Sequence, residues 1–326
     1  MTSKKGERRK EKAESGKQKA DTTTHSREGQ KNSENGAGRR SLSTGNYQLS
    51  TAVSPFSFPL SLVDLARWHS AIGAGITVWV GGHLAGAAWQ WGWLYPMAIA
   101  VLLSAAGNAS NDAGDVEADT INRPTRPIPR GSISVNQARI FALVCATLAF
   151  LMAIPLGWAT LLGTIVGVAL LFGYTPYLKS IPLVGNGVVG LLVGMCVGFG
   201  GLLAGNIPAV ILPGIAVGLL FGGREILKTL YDITGDSAMG VATIATRWGE
   251  RATLILASLC FGGAIIPLGI WAGNSLTLWL APFFTTLLVL ATILPLWQQS
   301  TRPIINRALR GSKIVGFALL ALLAFL

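Results

Sequence analysis

Residues 108–119 read Asn-Ala-Ser-Asn-Asp-Ala-Gly-Asp-Val-Glu-Ala-Asp, and residues 225–236 read Glu-Ile-Leu-Lys-Thr-Leu-Tyr-Asp-Ile-Thr-Gly-Asp. Asn108, Asp112, Asp115 and Asp119 are four, three and four residues apart, and Glu225, Thr229, Asp232 and Asp236 repeat that spacing 117 positions later. Steps of three and four place side chains on one face of a helix. Each stretch continues directly from a long apolar run. The pattern predicts two equivalent helices with acidic ends, inside a chain built by duplicating a four-helix unit.

Around these stretches the chain reads as a membrane protein. Of its 326 residues 51% are hydrophobic and 13% charged, where soluble domains run to about a quarter charged. Mean hydropathy is +0.51, and the 40 glycines fit membrane helices, where glycine is common. Apolar stretches of crossing length fall near 70–89, 94–111, 139–157, 158–175, 183–204, 207–224, 253–272, 276–297 and 313–326. The expected fold class is therefore all-α: a polytopic membrane protein with nine transmembrane helices around a central cavity. Connections after the even-numbered helices carry Arg123, Arg126, Arg130, Lys179, Arg247, Arg251, Arg302, Arg307 and Arg310, and those after the odd-numbered helices carry no charge. Positive charge stays on the cytoplasmic side. The N-terminus and the even loops are expected there, and the C-terminus outside.

Residues 1–40 contain 12 Lys/Arg and 6 Asp/Glu and almost nothing that can be buried. Such a segment cannot offset its ordering entropy. The expected division is a disordered basic cytoplasmic tail at 1–55 and a membrane domain at 60–326. The tail lacks the short apolar core and cleavage site of a secretory signal. With the basic charge confined to tail and loops, the pI near 10.0 reports topology and no nucleic-acid partner. Cys145, Cys196 and Cys260 each lie within an apolar run and read as small buried hydrophobes. His25, His69 and His83 are isolated, which excludes a zinc cluster.

Nine acids follow the tail, and seven fall within windows 112–119 and 225–236. One such loop would pass as solvated acids; two at equivalent helix ends point to function, because charge at membrane depth is costly. Crowded carboxylates repel unless a cation lies between them. Oxygen donors without His or Cys suit Mg²⁺, which completes its octahedron with phosphate oxygens and water. Arg123, Arg126 and Arg130, threaded through Pro124, Pro127 and Pro129, offer phosphate ligands on a stiff loop. Arg224 and Lys228 offer more from the second helix. An ion or phosphate transporter would place charges deep in mid-helix and break helices in both halves; here the acids gather at one mouth.

Asn111-Asp112-Ala-Gly-Asp115-Val-Glu-Ala-Asp119, followed by Asn122-Arg123-Pro124 and Arg126-Pro127-Ile128-Pro129, resembles the first signature of UbiA-type intramembrane prenyltransferases. Asp232-Ile-Thr-Gly-Asp236 is similar to the family's second motif, and Tyr174-Thr-Pro-Tyr177-Leu-Lys179 to its tyrosine–lysine loop. The resemblance covers roughly residues 60–326. It implies a polyprenyl diphosphate donor and two Mg²⁺ ions bridging the diphosphate, held by Asn111, Asp115, Asp119, Asp232 and Asp236. Asp112 and Lys228 join that catalytic set, and Asn108, Arg123, Arg126, Arg130, Tyr174, Lys179, Arg224 and Glu225 bind substrate. Two positions depart from the family pattern. Thr229 stands where another aspartate often begins the second motif, and the strict loop spacing would put lysine at 178, which is leucine.

Arg224-Glu225-Ile-Leu-Lys228 and Ile181-Pro182-Leu-Val-Gly185-Asn186 look most like the branch that makes digeranylgeranylglyceryl phosphate from geranylgeranylglyceryl phosphate. The alternative acceptor is an aromatic acid of a quinone pathway, of the 4-hydroxybenzoate, dihydroxynaphthoate or homogentisate type. Gly185, Gly187, Gly190, Gly194 and Gly198 on the fifth helix serve either a channel for a second lipid chain or close helix packing.

Overall fold

The computed structural model describes residues 57–326, and the tail expected at 1–55 lies outside the described residues. The helices are α1 (Ser57–Ala66), α2 (Trp68–Leu84), α3 (Leu94–Gly114), α4 (Val116–Asn122), α5 (Val135–Ala153) and α6 (Trp158–Gly173), then α7 (Val184–Leu203), α8 (Ile211–Ala238), α9 (Ile244–Gly263), α10 (Ile265–Ala272), α11 (Leu280–Gln298) and α12 (Arg302–Phe325). Among the described residues there is no strand.

Among the described residues eight helical stretches are long and apolar enough to cross a membrane. The remaining expected span, 70–89, corresponds to α2, which has 17 residues and falls short of that length. It stops before the expected residue 89 because Gly86, at φ +96°, closes it. Gly86 N–H donates to His83 O and Ala87 N–H to Gly82 O, the paired bonds of a glycine-terminated helix end. At this end Trp79 packs edge-on against Trp89 and Trp93, at 4.9 and 5.4 Å. Indoles favour the membrane–water boundary.

The duplication has a physical counterpart. α3 and α8 begin 117 residues apart, at Leu94 and Ile211, and α2 and α7 begin at Trp68 and Val184. In each half the second helix packs on the first and third, α3 on α2 and α5, α8 on α7 and α9. α2 and α7 join the halves, and α12 packs on α2, α8 and α11. The interfaces are made of small side chains. Ala138, Ala142, Ala149 and Ala153 of α5 are fully buried, as are Ala106 and Ala109 of α3. Large apolar side chains such as Ile140, Leu143 and Leu151 of α5 and Phe283 and Leu294 of α11 are exposed on the outer surface. Without a hydrophobic drive between helices in lipid, close packing of small residues supplies the attraction.

Two expectations about helix limits fail. The last helix was expected at 313–326 and begins at Arg302. Arg307, Arg310 and Lys313 interrupt the hydropathy, yet Ile305, Ala308, Leu309, Ser312, Val315, Gly316 and Leu319 keep a helical period and are buried. The first acidic stretch does not stay on one straight helix. α3 stops at Gly114, Asp115 takes φ −103° and ψ 15°, and α4 resumes at Val116. Glycine and aspartate are poor helix formers, and they sit where the chain bends. The second stretch stays within the 28 residues of α8. Of the cysteines, only Cys145 is buried; Cys196 and Cys260 are half-buried.

Candidate active site

The bend at Asp115 and the straight end of α8 face each other. A small cavity of about 20 Å³ is lined by Asn111, Asp115, Asp119, Asp232 and Asp236, with Asn122, Arg123, Tyr174, Lys179 and Lys228 around them. Asn122 ties the two motifs together. Its Nδ2 donates to Asp232 O at 3.0 Å, and its Oδ1 accepts from Gly235 N–H at 3.2 Å. A Cβ at Gly235 would lie 2.3 Å from Asn122 Nδ2, so only glycine permits this contact.

Asp115, Asp119, Asp232 and Glu225 are each paired with a cation. Arg123 pairs with Asp232 and, at 3.4 Å, with Asp119. Lys179 Nζ lies 2.6 Å from Asp115, and Glu225 is shared by Arg224 at 2.5 Å and Lys228 at 3.0 Å. Burial works against the charge on Arg123, but Asp232 and Asp119 outweigh it and hold its pKa above the ordinary arginine value. Arg126, buried and beside Arg67, is pushed the other way.

Lys179 reaches Asp115 because of one extra residue. Tyr174–Leu178 form a π-helical turn, closed by Lys179 N–H donating to Tyr174 O at 2.7 Å. The wider turn absorbs the residue that displaces lysine from position 178, and Tyr174 stays in the cavity wall.

Two expected site residues fall elsewhere. Asp112 is 3% exposed and lines neither cavity; it is held behind the site between Arg67 and Arg126, the latter at 3.0 Å. Arg126 also pairs with Asp119. Asp112 therefore positions two guanidinium groups. Arg130 pairs with Asp64 at the surface, at 3.0 Å, and lines neither cavity. Thr229, the counterpart of Asp112, is likewise turned away, its hydroxyl donating to Ile226 O at 2.7 Å. Arg67 was missed. It joins α1 to α2 with φ 51°, a left-handed conformation costly for a side chain of its size. It reaches Asp112 and Asn108 Oδ1, while Asn108 Nδ2 donates to Ala66 O at 2.9 Å. A lone arginine at the start of an apolar run was the available signal.

The small cavity adjoins a larger one of about 1090 Å³. Asn111, Asn122, Arg123, Tyr174 and Lys228 line both. Asn108, Arg67, Arg126, Arg224 and Glu225 add to its polar end, and Ile99, Leu103, Leu171, Leu192, Phe199 and Phe317 form its apolar walls. Such an arrangement can hold a molecule with an anionic head at the acids and cations and a long apolar tail among the helices. Gly198 lies on this wall with nothing within 4 Å of a Cβ. Gly190 and Gly194, in contrast, press on Gly218 O and Gly214 O of α8, where a Cβ would come to 2.5 and 2.8 Å. The glycines of α7 thus divide between two faces, one packed closely on α8 and one open to the larger cavity.

The family model for the UbiA prenyltransferase family matches residues 70–314. The chain belongs to the UbiA prenyltransferase family. It is a multi-pass membrane prenyltransferase. Among its UbiA-family relatives, the digeranylgeranylglyceryl phosphate synthase of Sulfolobus acidocaldarius is 34% identical over 203 residues, spanning 61% of this chain and 74% of the relative. A UbiA homologue from Aeropyrum pernix has the same fold, with a TM-score of 0.67 at 21% identity over 78% of this chain and 98% of that one. A homologue from Archaeoglobus fulgidus, solved with GPP and Mg²⁺ bound, matches with a TM-score of 0.62 at 15% identity, over 80% of this chain and 99% of the other.

Proposed function

We propose that this enzyme transfers a geranylgeranyl group from its diphosphate to the free hydroxyl of geranylgeranylglyceryl phosphate. The observation that carries the reading is an acid-and-cation cavity opening into a larger apolar one whose polar end is rich in cations. The kinship with digeranylgeranylglyceryl phosphate synthases supports the acceptor.

The donor set fits Mg²⁺. Asn111, Asp115, Asp119, Asp232 and Asp236 supply only oxygen and converge on one small cavity. Among the described residues no three His, Cys, Asp or Glu side chains stand close enough to hold one ion. Mg²⁺ can be held through one or two carboxylates with phosphate oxygens and water completing its shell, and two ions shared between the two motifs would use all five residues. Bound there, Mg²⁺ supplies Lewis-acid neutralisation of the leaving diphosphate. The A. fulgidus homologue was solved with this ion. Thr229 faces away from the cavity, so its lack of a carboxylate costs the site no ligand.

The chain's own groups do the rest. Arg123, Lys179 and Lys228 orient the diphosphate and take up charge as the allylic C–O bond breaks, its electron pair leaving with the diphosphate. The apolar walls hold the prenyl chain and keep water from the allylic cation. The acceptor hydroxyl oxygen bonds to that carbon, and its proton leaves to the released diphosphate. Parallel incubations of purified enzyme, Mg²⁺ and labelled geranylgeranyl diphosphate test this reading. Geranylgeranylglyceryl phosphate should give a diether product, and 4-hydroxybenzoate none. A prenylated aromatic acid without diether would move the acceptor to the quinone type.

The mouth of the site faces the cytoplasm, as does the basic segment 1–55, because loop charge gathers on the side of the acids. Ser132 is exposed beside the Arg126–Arg130 loop. A cysteine there, in a background without Cys145, Cys196 and Cys260, should react with a membrane-impermeant thiol reagent in inside-out vesicles alone. Labelling in intact cells would reverse the topology.

A further inference from the structure

The larger cavity carries more positive charge than the chain neutralises. Among the described residues Glu225 is the one acid in its lining, and Arg224 and Lys228 already share it. Arg224 uses one terminal nitrogen on Glu225, while its Nε is buried with no hydrogen-bond partner among the described residues. Buried donors are almost always satisfied, so this one marks a place where an acceptor atom belongs.

α12 supplies the rest of this wall. Asn306, Arg310 and Lys313, four and three residues apart, share one helix face and line the same cavity. Lys313 Nζ makes a long hydrogen bond of 3.4 Å to Ser70 Oγ. Among the described residues neither Lys313 nor Arg310 has an acidic partner within salt-bridge distance. The small cavity does not use them, for Arg224, Arg310 and Lys313 are absent from its lining while Arg123, Lys179 and Lys228 are present. The protein therefore holds two anion-attracting regions. One has carboxylates suited to a metal-bound diphosphate; in the other, among the described residues, Glu225 is already shared by Arg224 and Lys228, and Arg310 and Lys313 have no acid to match them.

We propose that Arg310 and Lys313, with Asn306 and the free Nε of Arg224, bind the phosphate monoester of the acceptor lipid, apart from the donor diphosphate. This rests on the acceptor reading above and deepens it by naming the residues that select a phosphorylated acceptor. A phosphate monoester has no need of a metal where uncompensated cations already meet it, and a guanidinium offers it two parallel hydrogen bonds. Phe317, one turn beyond Lys313, and the open face at Gly198 line the same cavity and leave an apolar path for the acceptor's own chain.

Steady-state kinetics of the full chain with Mg²⁺ test the site, using wild type, Arg310→Gln, Lys313→Gln and Lys313→Arg. Losing one charge-assisted hydrogen bond should raise KM for geranylgeranylglyceryl phosphate about tenfold to a hundredfold. KM for the donor should stay unchanged, and Lys313→Arg should recover most of the loss. Geranylgeranylglycerol, which lacks the phosphate, should be a poor acceptor for wild type and no poorer for the variants. Glycerol phosphate without a chain should compete only weakly; competition matching the lipid would assign the site to a free anion. Diether formation with unmoved acceptor KM in both glutamine variants would overturn this site and leave the acceptor reading standing. No diether from wild type would overturn both.

Discussion

Asp115→Asn or Asp232→Asn lowers turnover by about two orders of magnitude or more, the scale of losing one preorganised electrostatic group. Both side chains line the small cavity, and asparagine keeps their shape while removing the charge that would hold a cation. The fold tolerates the change. Without the Asp232 charge, Arg123 keeps Asp119 at 3.4 Å, and Lys179, freed from Asp115, stays at the polar mouth. Asp112→Asn behaves differently. Asp112 sits buried between Arg67 and Arg126, and removing one member of a buried ion network costs about 3 kcal/mol. Its variant loses folded yield and thermal stability first. Turnover per folded molecule, measured beside melting in detergent, separates the two classes. Near-normal turnover of Asp115→Asn and Asp232→Asn with Mg²⁺ present would remove the carboxylate cavity from catalysis.

That division could not be read from spacing. Asn108, Asp112, Asp115 and Asp119 share a helical face by count, but the bend at Asp115 swings Asp115 and Asp119 into the cavity and leaves Asp112 behind it. Periodicity assumes an unbroken helix, and nothing short of tertiary packing decides where Gly114 yields. The existence of two opposed motifs, and most of the apolar spans, was legible because each rests on many residues at once. Single positions were not. Lys179 sat one residue out of register until the π turn accounted for it. Arg310 reads as a loop charge and Lys313 as the first residue of the last span, because hydropathy counts a cation against a membrane helix even when one face of that helix lines a polar cavity. The buried positions from Ile305 to Leu319 were the better guide.

Gly81→Ala and Gly200→Ala each destabilise the protein although alanine is the better helix former. A Cβ on Gly81 would lie 2.0 Å from Val197 O, and one on Gly200 2.0 Å from Val78 O and 2.4 Å from Gly82 N. These obstacles are backbone atoms, which cannot swing aside as a side chain can. Relief requires α2 and α7 to move apart by more than an ångström, and together they join the two halves of the chain. Overpacking of this kind costs about 1–3 kcal/mol or more, against about 1 kcal/mol gained in helix propensity, so the strain wins. Activity is expected to fall as well, because Ser70 and Thr77 of α2 and Leu192 and Phe199 of α7 line the larger cavity proposed to hold substrate. Gly198→Ala supplies the comparison from the same helix. Nothing lies within 4 Å of its Cβ, so the propensity gain stands alone and the variant melts at or above the wild-type temperature. Thermal melting of the three variants in one detergent reads the difference directly. If Gly200→Ala is as stable as Gly198→Ala, the two halves do not meet through the backbone contact at Val78, and the cavity between them is wider than these glycines allow.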